Sequence, residues 1–166
     1  MINPHGGQLV NRVLKGGAKE KVLDEKTELF EIEVNQQREK EIENIATGVY
    51  SPLEGFLVQN DLDNVVNSKR LSNDLAWTIP IILDINNEEA NKISIGDTVR
   101  LSSDGHFIAS MEVEDKYKFN KKELAEKVYG TVDTRHPGVA GAFKLEDILL
   151  GGKINLVDSS ESSYPK

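Results

Sequence analysis

The 166-residue chain contains no cysteine. That excludes disulfides and thiolate metal sites, and makes the cytoplasm the expected compartment. Positive charge is also scarce. The 20 Lys and Arg face 28 Asp and Glu, for a formal charge of −8 and a pI near 5.0. A free-standing nucleic-acid binder is usually basic, because it must displace counterions from phosphates, so general nucleic-acid binding is not expected. No apolar run approaches the roughly 18 residues of a membrane span. The longest apolar patch, around Ile79 to Ile85, is strand-sized and carries Pro80. The opening residues Met1 to His5 lack the basic-then-apolar order of a signal peptide. There is no internal repeat and no low-complexity segment.

Several catalytic signatures are missing as well. "KGGAKEK" (Lys15 to Lys21) has glycines and lysines but not the spacing of a phosphate-binding loop, and no Gly-x-Gly-x-x-Gly occurs. The three histidines, His5, His106 and His136, fall in no zinc pattern. No Gly-x-Ser-x-Gly elbow is present. Ser51 precedes a proline in a turn, where its hydroxyl is expected to bond nearby backbone.

What is present is mostly strand, with short helices between. Residues 1–28 are polar and broken by Gly6-Gly7 and Gly16-Gly17. "LFEIEV" (Leu29 to Val34) alternates apolar and acidic residues, the period-2 mark of a half-buried strand. Asn35 can cap a helix that buries Ile42 and Ile45 and stops at Gly48. Ser51-Pro52 and Gly55 predict two bends. Asp61 to Leu71 predicts a helix with Leu62, Val65 and Val66 inward. "WTIPIILDI" (Trp77 to Ile85) reads as a buried strand at an edge, a bulge or its start, given Pro80, and "NNEEANKI" as a short helix or turn.

Asp104-Gly105 between two β-rich runs is a strong hairpin signal. Asn120 and Glu123 predict a capping box for a helix from Lys121 to Val128, closed by Gly130. Lys144 to Leu149 reads as a helical turn broken by Gly151-Gly152, then "KINLVD" as a last strand and 158–166 as a polar tail. Trp77, Tyr50 and Phe56 are expected in packing, and Glu31, Glu33, Glu39, Glu41 and Glu43 on a solvated face. With no regular βαβ alternation, the expected class is α+β, strand-rich, with a mixed barrel-like sheet and short peripheral helices.

The densest chemistry lies in "YGTVDTRHPGVAG" (Tyr129 to Gly141). Asp133 is close enough to His136 in sequence to orient an imidazole for acid–base work. The simpler alternative is a Pro137-Gly138 turn, with Asp133 and Arg135 bonding loop amides, each other or a neighbouring surface.

"PHGGQLVNR" (from Pro4), "IENIATGVYSPLEGFL" (from Ile42), "WTIPIILDI", "GDTVRL", "YGTVDTRHPGV" and "LLGGKINLV" occur in this order. Together they resemble the N-terminal domain of the sulfate adenylyltransferases, the ATP sulfurylases, from about residue 3 to residue 157. The resemblance implies a PUA-like pseudo-barrel over 1–157, with 158–166 as a tail or interdomain linker. It also implies membership of an enzyme that joins ATP and sulfate to give adenosine 5′-phosphosulfate and pyrophosphate.

In that family the chemistry belongs to a separate catalytic domain, with a Gln-x-Arg-Asn motif, a His-x-x-His motif and a Gly-Arg-Asp-His loop. Here Gln36-Gln37-Arg38 is followed by Glu39, and no His-x-x-His exists. The resemblance therefore implies a chain inactive by itself, with no catalytic, cofactor or metal residue of its own. ATP and sulfate, with magnesium, are expected only for the complete enzyme. The implied partner is a catalytic domain, in the same chain or a separate subunit, with room for a homo-oligomer. Asp133, Arg135 and His136 are the candidates for interdomain docking or a cleft rim. The alternatives are a stand-alone PUA-like module binding RNA or protein, and a small enzyme using Asp133 and His136.

Overall fold

The structure, a computed structural model, describes residues 4–14 and 29–157. Gly16-Gly17 and the 158–166 tail lie outside the described residues. The elements are β1 (Val13–Leu14), β2 (Phe30–Glu33), α1 (Gln36–Ala46), β3 (Gly55–Phe56), α2 (Gln59–Ser68), β4 (Leu83–Ile85), α3 (Asn87–Lys92), β5 (Thr98–Ser103), β6 (His106–Lys118), α4 (Lys121–Tyr129), α5 (Pro137–Phe143) and β7 (Ile148–Val157). The strands form one mixed seven-stranded sheet with the path β1-β7-β6-β5-β2, and β3 and β4 also pair with β7. The class is α+β and strand-rich. The chain divides into two compact units, the second being Leu57–Ser94 with Glu114–Gly151 and the first the remainder.

In the first unit, β2 runs parallel to β5, and β5 turns antiparallel into β6. The hairpin forms at Asp104-Gly105, where both residues take positive φ, at 50° and 78°. Asn35 caps α1 by accepting from the Arg38 amide at 2.8 Å. Ile42 and Ile45 are fully buried from its inner face. Ser51 behaves as its turn position requires, donating to the Gly48 carbonyl and accepting from the Val10 amide. Arg12 ties the first strand into the unit, donating to the Ile154 carbonyl at 2.7 Å and to Glu54 at 2.9 Å.

Of the acids expected on a solvated face, Glu31 and Glu33 are exposed, Glu39 and Glu43 are half-buried, and Glu41 is drawn in against Arg38. Arg38 holds its carboxylate at 2.9 Å, and the pair is only 11 and 12 % exposed. The guanidinium compensates a charge that would otherwise resist withdrawal from water.

In the second unit, α2 spans Gln59–Ser68 rather than Asp61 to Leu71, because Lys69 turns left-handed and ends it. Leu62 and Val65 are buried, and Val66 only half so. The long strand expected from Trp77 shrinks to Leu83–Ile85. Its first half folds back instead: the Trp77 amide donates to the Lys69 carbonyl at 2.8 Å and its indole to the Ile79 carbonyl at 2.6 Å. Pro80 supplies no donor for a ladder there. Asn86 and Glu89 form a complete capping box that settles α3 as a helix. At α4, Asn120 accepts from the Glu123 amide at 2.9 Å, but the Glu123 carboxylate takes the Lys127 ammonium rather than closing the box.

Two further expectations are corrected. Pro137-Gly138 opens a helix, α5, instead of a tight turn. No helix forms at Lys144 to Leu149, since β7 already begins at Ile148 and runs straight through Gly151-Gly152. Gly151 serves close approach there. A Cβ on Gly151 would lie 2.6 Å from both the Leu57 carbonyl oxygen and the Val58 Cα.

Candidate functional site

Three features build the corner from Tyr129 to Phe143. Gly130, with φ of 74°, closes α4 and turns the chain away. His136 has extended backbone and becomes the N-cap of α5, its Nδ1 accepting from the Gly138 amide at 3.0 Å. Pro137 follows at the first helical position, where its missing N–H has no intrahelical partner to lose. α5 then packs on α4 through small buried residues, Ala125, Val139 and Ala142.

The charges of the corner bind one another. The Asp133 carboxylate accepts from Arg135 Nε at 3.0 and 3.1 Å, from a terminal guanidinium nitrogen at 2.6 Å and from the Arg135 amide at 2.9 Å. The Arg135 guanidinium, foremost, and then its amide hold the Asp133 carboxyl below the usual aspartate range. The guanidinium is nevertheless 91 % exposed, so it is fixed in direction but open to solvent.

The His136 amide donates to the Asp133 carbonyl at 3.0 Å, but its imidazole stands apart from the Asp133 carboxylate. Its Nδ1 is occupied by the cap, so the neutral ring carries its proton on Nε2. The ring lies against Tyr129, with centroids 5.1 Å apart and planes tilted by 38°. No hydrogen bond joins the Asp133 carboxylate to the imidazole. The carboxylate therefore does not orient the ring as a general base needs. Tyr129, Val132 and Phe143 leave apolar surface exposed on the same stretch of chain.

A cavity of about 210 Å³ opens elsewhere in the second unit, between α2, the end of β6 and the start of α4. Leu62, Val66 and Leu124 line it, with Tyr117, Lys118, Phe119, Asn120 and the acids Asp63 and Glu123. The Tyr117 hydroxyl donates to the Leu57 carbonyl at 2.7 Å. Burial, and after it the carboxylates of Asp115, Asp63 and Asp61, push that phenol well above its ordinary range. Sequence reasoning singled out none of these as a site. Its walls come from segments far apart in the chain, and only Leu62, Val66 and the cap residues carried any local signal. Among the described residues no three His, Asp or Glu gather to hold a metal.

A family model described as "PUA-like domain" matches residues 2–159. The chain belongs to the PUA-like domain family. Curated relatives include proteins named sulfate adenylyltransferase from Staphylothermus marinus, 45 % identical over 155 residues, and from Aeropyrum pernix, 46 % identical over 156. Each match covers 93 % of this chain but only 41 % of the relative, so the chain spans about two fifths of their length. A solved structure titled "Hexameric APS kinase from Thiobacillus denitrificans" matches all of the chain and 28 % of its own, with a TM-score of 0.74 and 22 % identity. At that identity the likeness speaks to fold alone. The PUA-like domain here thus shares its sequence with part of a longer adenylyltransferase. Among its described residues no helix is long and apolar enough to cross a membrane.

Proposed function

We propose that this PUA-like domain is the N-terminal, non-catalytic part of a sulfate adenylyltransferase, packing on and supporting the domain that joins ATP to sulfate. The observation that carries the reading is the pairing of 45 % identity across 93 % of this chain with 41 % coverage of the relative. The chemistry supports it. Adenylyl transfer to sulfate crowds anionic oxygens, and an enzyme must aim cations and donors at them. This chain has a net charge of −8, and the most exposed cation of its densest loop is already clamped by Asp133. ATP, sulfate and magnesium belong, in this reading, to the complete enzyme in the cytoplasm, and no step is assigned to residues of this chain. Measuring the subunit mass in the source cells tests the arrangement. A subunit well above 18.5 kDa is expected, whereas a subunit of that mass with no catalytic subunit co-purifying would contradict it.

Asp133, Arg135 and His136 serve in this reading as a docking corner. The clamp presents a directed guanidinium, the cap holds His136 in place, and Tyr129, Val132 and Phe143 supply apolar surface for a partner to cover. In the complete enzyme, the double change Arg135→Ala and His136→Ala is expected to lower the temperature at which activity is lost or to raise KM. Unchanged melting and unchanged kinetics would remove the docking role.

A further inference from the structure

α5 has little to hold it. Its 7 residues fall short of the ~12 at which an isolated helix begins to persist. Gly138 and Gly141 are poor helix formers. Its buried hold on α4 is the small cluster of Ala125, Val139 and Ala142. Pro137 has no N–H, so Gly138 supplies the first amide of the turn, and that amide donates to His136 Nδ1 at 3.0 Å. The Ala140 amide then donates to the His136 carbonyl at 3.0 Å. Two bonds that start the helix thus end on one residue.

That residue differs from the other side-chain caps among the described residues. Asn35, Asn86 and Asn120 accept through an amide oxygen, which keeps its lone pairs at any ordinary pH. An imidazole accepts only while neutral, because the imidazolium carries a proton on both nitrogens. Imidazoles ordinarily take up that proton at about pH 6.5. The proton also sets a cation at a helix end that favours negative charge. Both effects have one sign: the cap is present above the imidazole range and lost below it.

The titratable groups near the ring leave this sign standing. Tyr129 of α4 lies against it, with centroids 5.1 Å apart. That contact survives protonation, since an aromatic face accepts a cation, so the ring can keep Tyr129 while releasing Gly138. Elsewhere in the last turn of α4, Glu126 is exposed and Lys127 is bound to Glu123 and Asn67. In the loop, the Asp133 carboxylate is taken by Arg135, which holds it ionised to below the usual aspartate range. α5 itself has no titratable side chain, and the exposed Lys144 follows its far end. We propose that His136 is a proton-released cap: neutral, it holds the first turn of α5 closed, and protonated, it lets that turn open. If the corner docks a catalytic domain, as proposed above, the same proton loosens the docked surface. The uncapping needs no partner, so it holds or fails independently of that reading.

The test follows the Gly138 amide and the His136 ring protons by NMR in the isotope-labelled full chain, titrated from about pH 8 to about pH 5, a window in which carboxylates of ordinary or lowered pKa remain mostly ionised. The Gly138 amide is expected to shift in step with the ring. Exchange protection of the Ala140 amide, corrected for the intrinsic pH dependence of exchange, is expected to fall about fivefold. His136→Asn keeps an acceptor that does not titrate, and should flatten both curves. A Gly138 amide that does not follow the ring, Ala140 protection unchanged across the titration, or the same pH dependence in His136→Asn would each overturn the proposal.

Discussion

Pro137-Gly138 and Gly151-Gly152 look alike in the sequence, since each is a pair of residues that ordinarily interrupts regular structure. In the fold they do opposite things. Pro137-Gly138 starts a helix on an exposed corner, where what matters is a donor, a cap and a fixed φ. Gly151 and Gly152 continue a buried strand, and at Gly151 what matters is the space a side chain would need. The neighbours differ too. A Cβ on Gly151 would press on the backbone of Leu57 and Val58, while one on Gly138 would press on the Tyr129 ring, which is 39 % exposed. Backbone held by hydrogen bonds to Ile81 and Leu62 cannot yield cheaply, but an exposed ring can swing aside.

Substitution should therefore separate the two segments. Gly151→Ala is expected to have the largest effect, a loss of about 3 kcal/mol in urea unfolding, because relief requires moving Leu57, whose amide donates to Ile81 at 2.9 Å. A loss below about 0.5 kcal/mol, the ordinary scale of a surface substitution, would show that the strand is not closely packed there. His136→Ala comes next, removing the α5 cap at a cost of about 1 kcal/mol, and His136→Asn should recover most of it. If Asn fails to recover, the imidazole contributes through Tyr129 rather than through Nδ1.

Gly138→Ala should cost less than Gly151→Ala, under about 1 kcal/mol, with the Tyr129 ring resonances shifting as the ring moves. A cost equal to that of Gly151→Ala would erase the contrast.

The smallest change in stability belongs to Arg135→Ala, which should leave the melting temperature unaltered while raising the Asp133 pKa toward its ordinary value. The sign follows from the depressed folded-state pKa. Any stabilisation by the clamp is present above the unfolded aspartate pKa and fades as pH falls through the folded one. Titration of the Asp133 side-chain carboxyl carbon by NMR reads this, and an unmoved pKa would mean that Arg135 is not what holds the carboxylate.

Local chemistry made part of the fold legible beforehand. Asp104-Gly105 predicted the hairpin because two successive positive φ values suit few residues. Asn35 and Asn120 marked helix starts through a short acceptor side chain, and the alternation of Leu29 to Val34 marked β2. The misses share a cause. Trp77 to Pro80 is apolar enough for a strand, but its bonds to Lys69 and Ile79 fold it back, and hydropathy carries no record of that choice. α5 was hidden because Pro-Gly signals a turn unless the residue before it can cap.

The same division holds for the candidate site. The sequence located the Asp133–His136 loop but left open whether its acid faces the imidazole or the guanidinium, a matter of geometry that spacing does not decide. The cavity was invisible, because Asp63 and Tyr117 come together only through α2 packing beside β6.

In the function proposed for it, this PUA-like domain supports catalysis without performing it. The most direct test is pyrophosphate release from ATP in the presence of sulfate and magnesium, measured on the purified chain and on the same chain joined to or mixed with the remainder of the adenylyltransferase. Release at background is expected from the chain alone, and sulfate-dependent release when the remainder is present. Sulfate-dependent release by the isolated chain would contradict it.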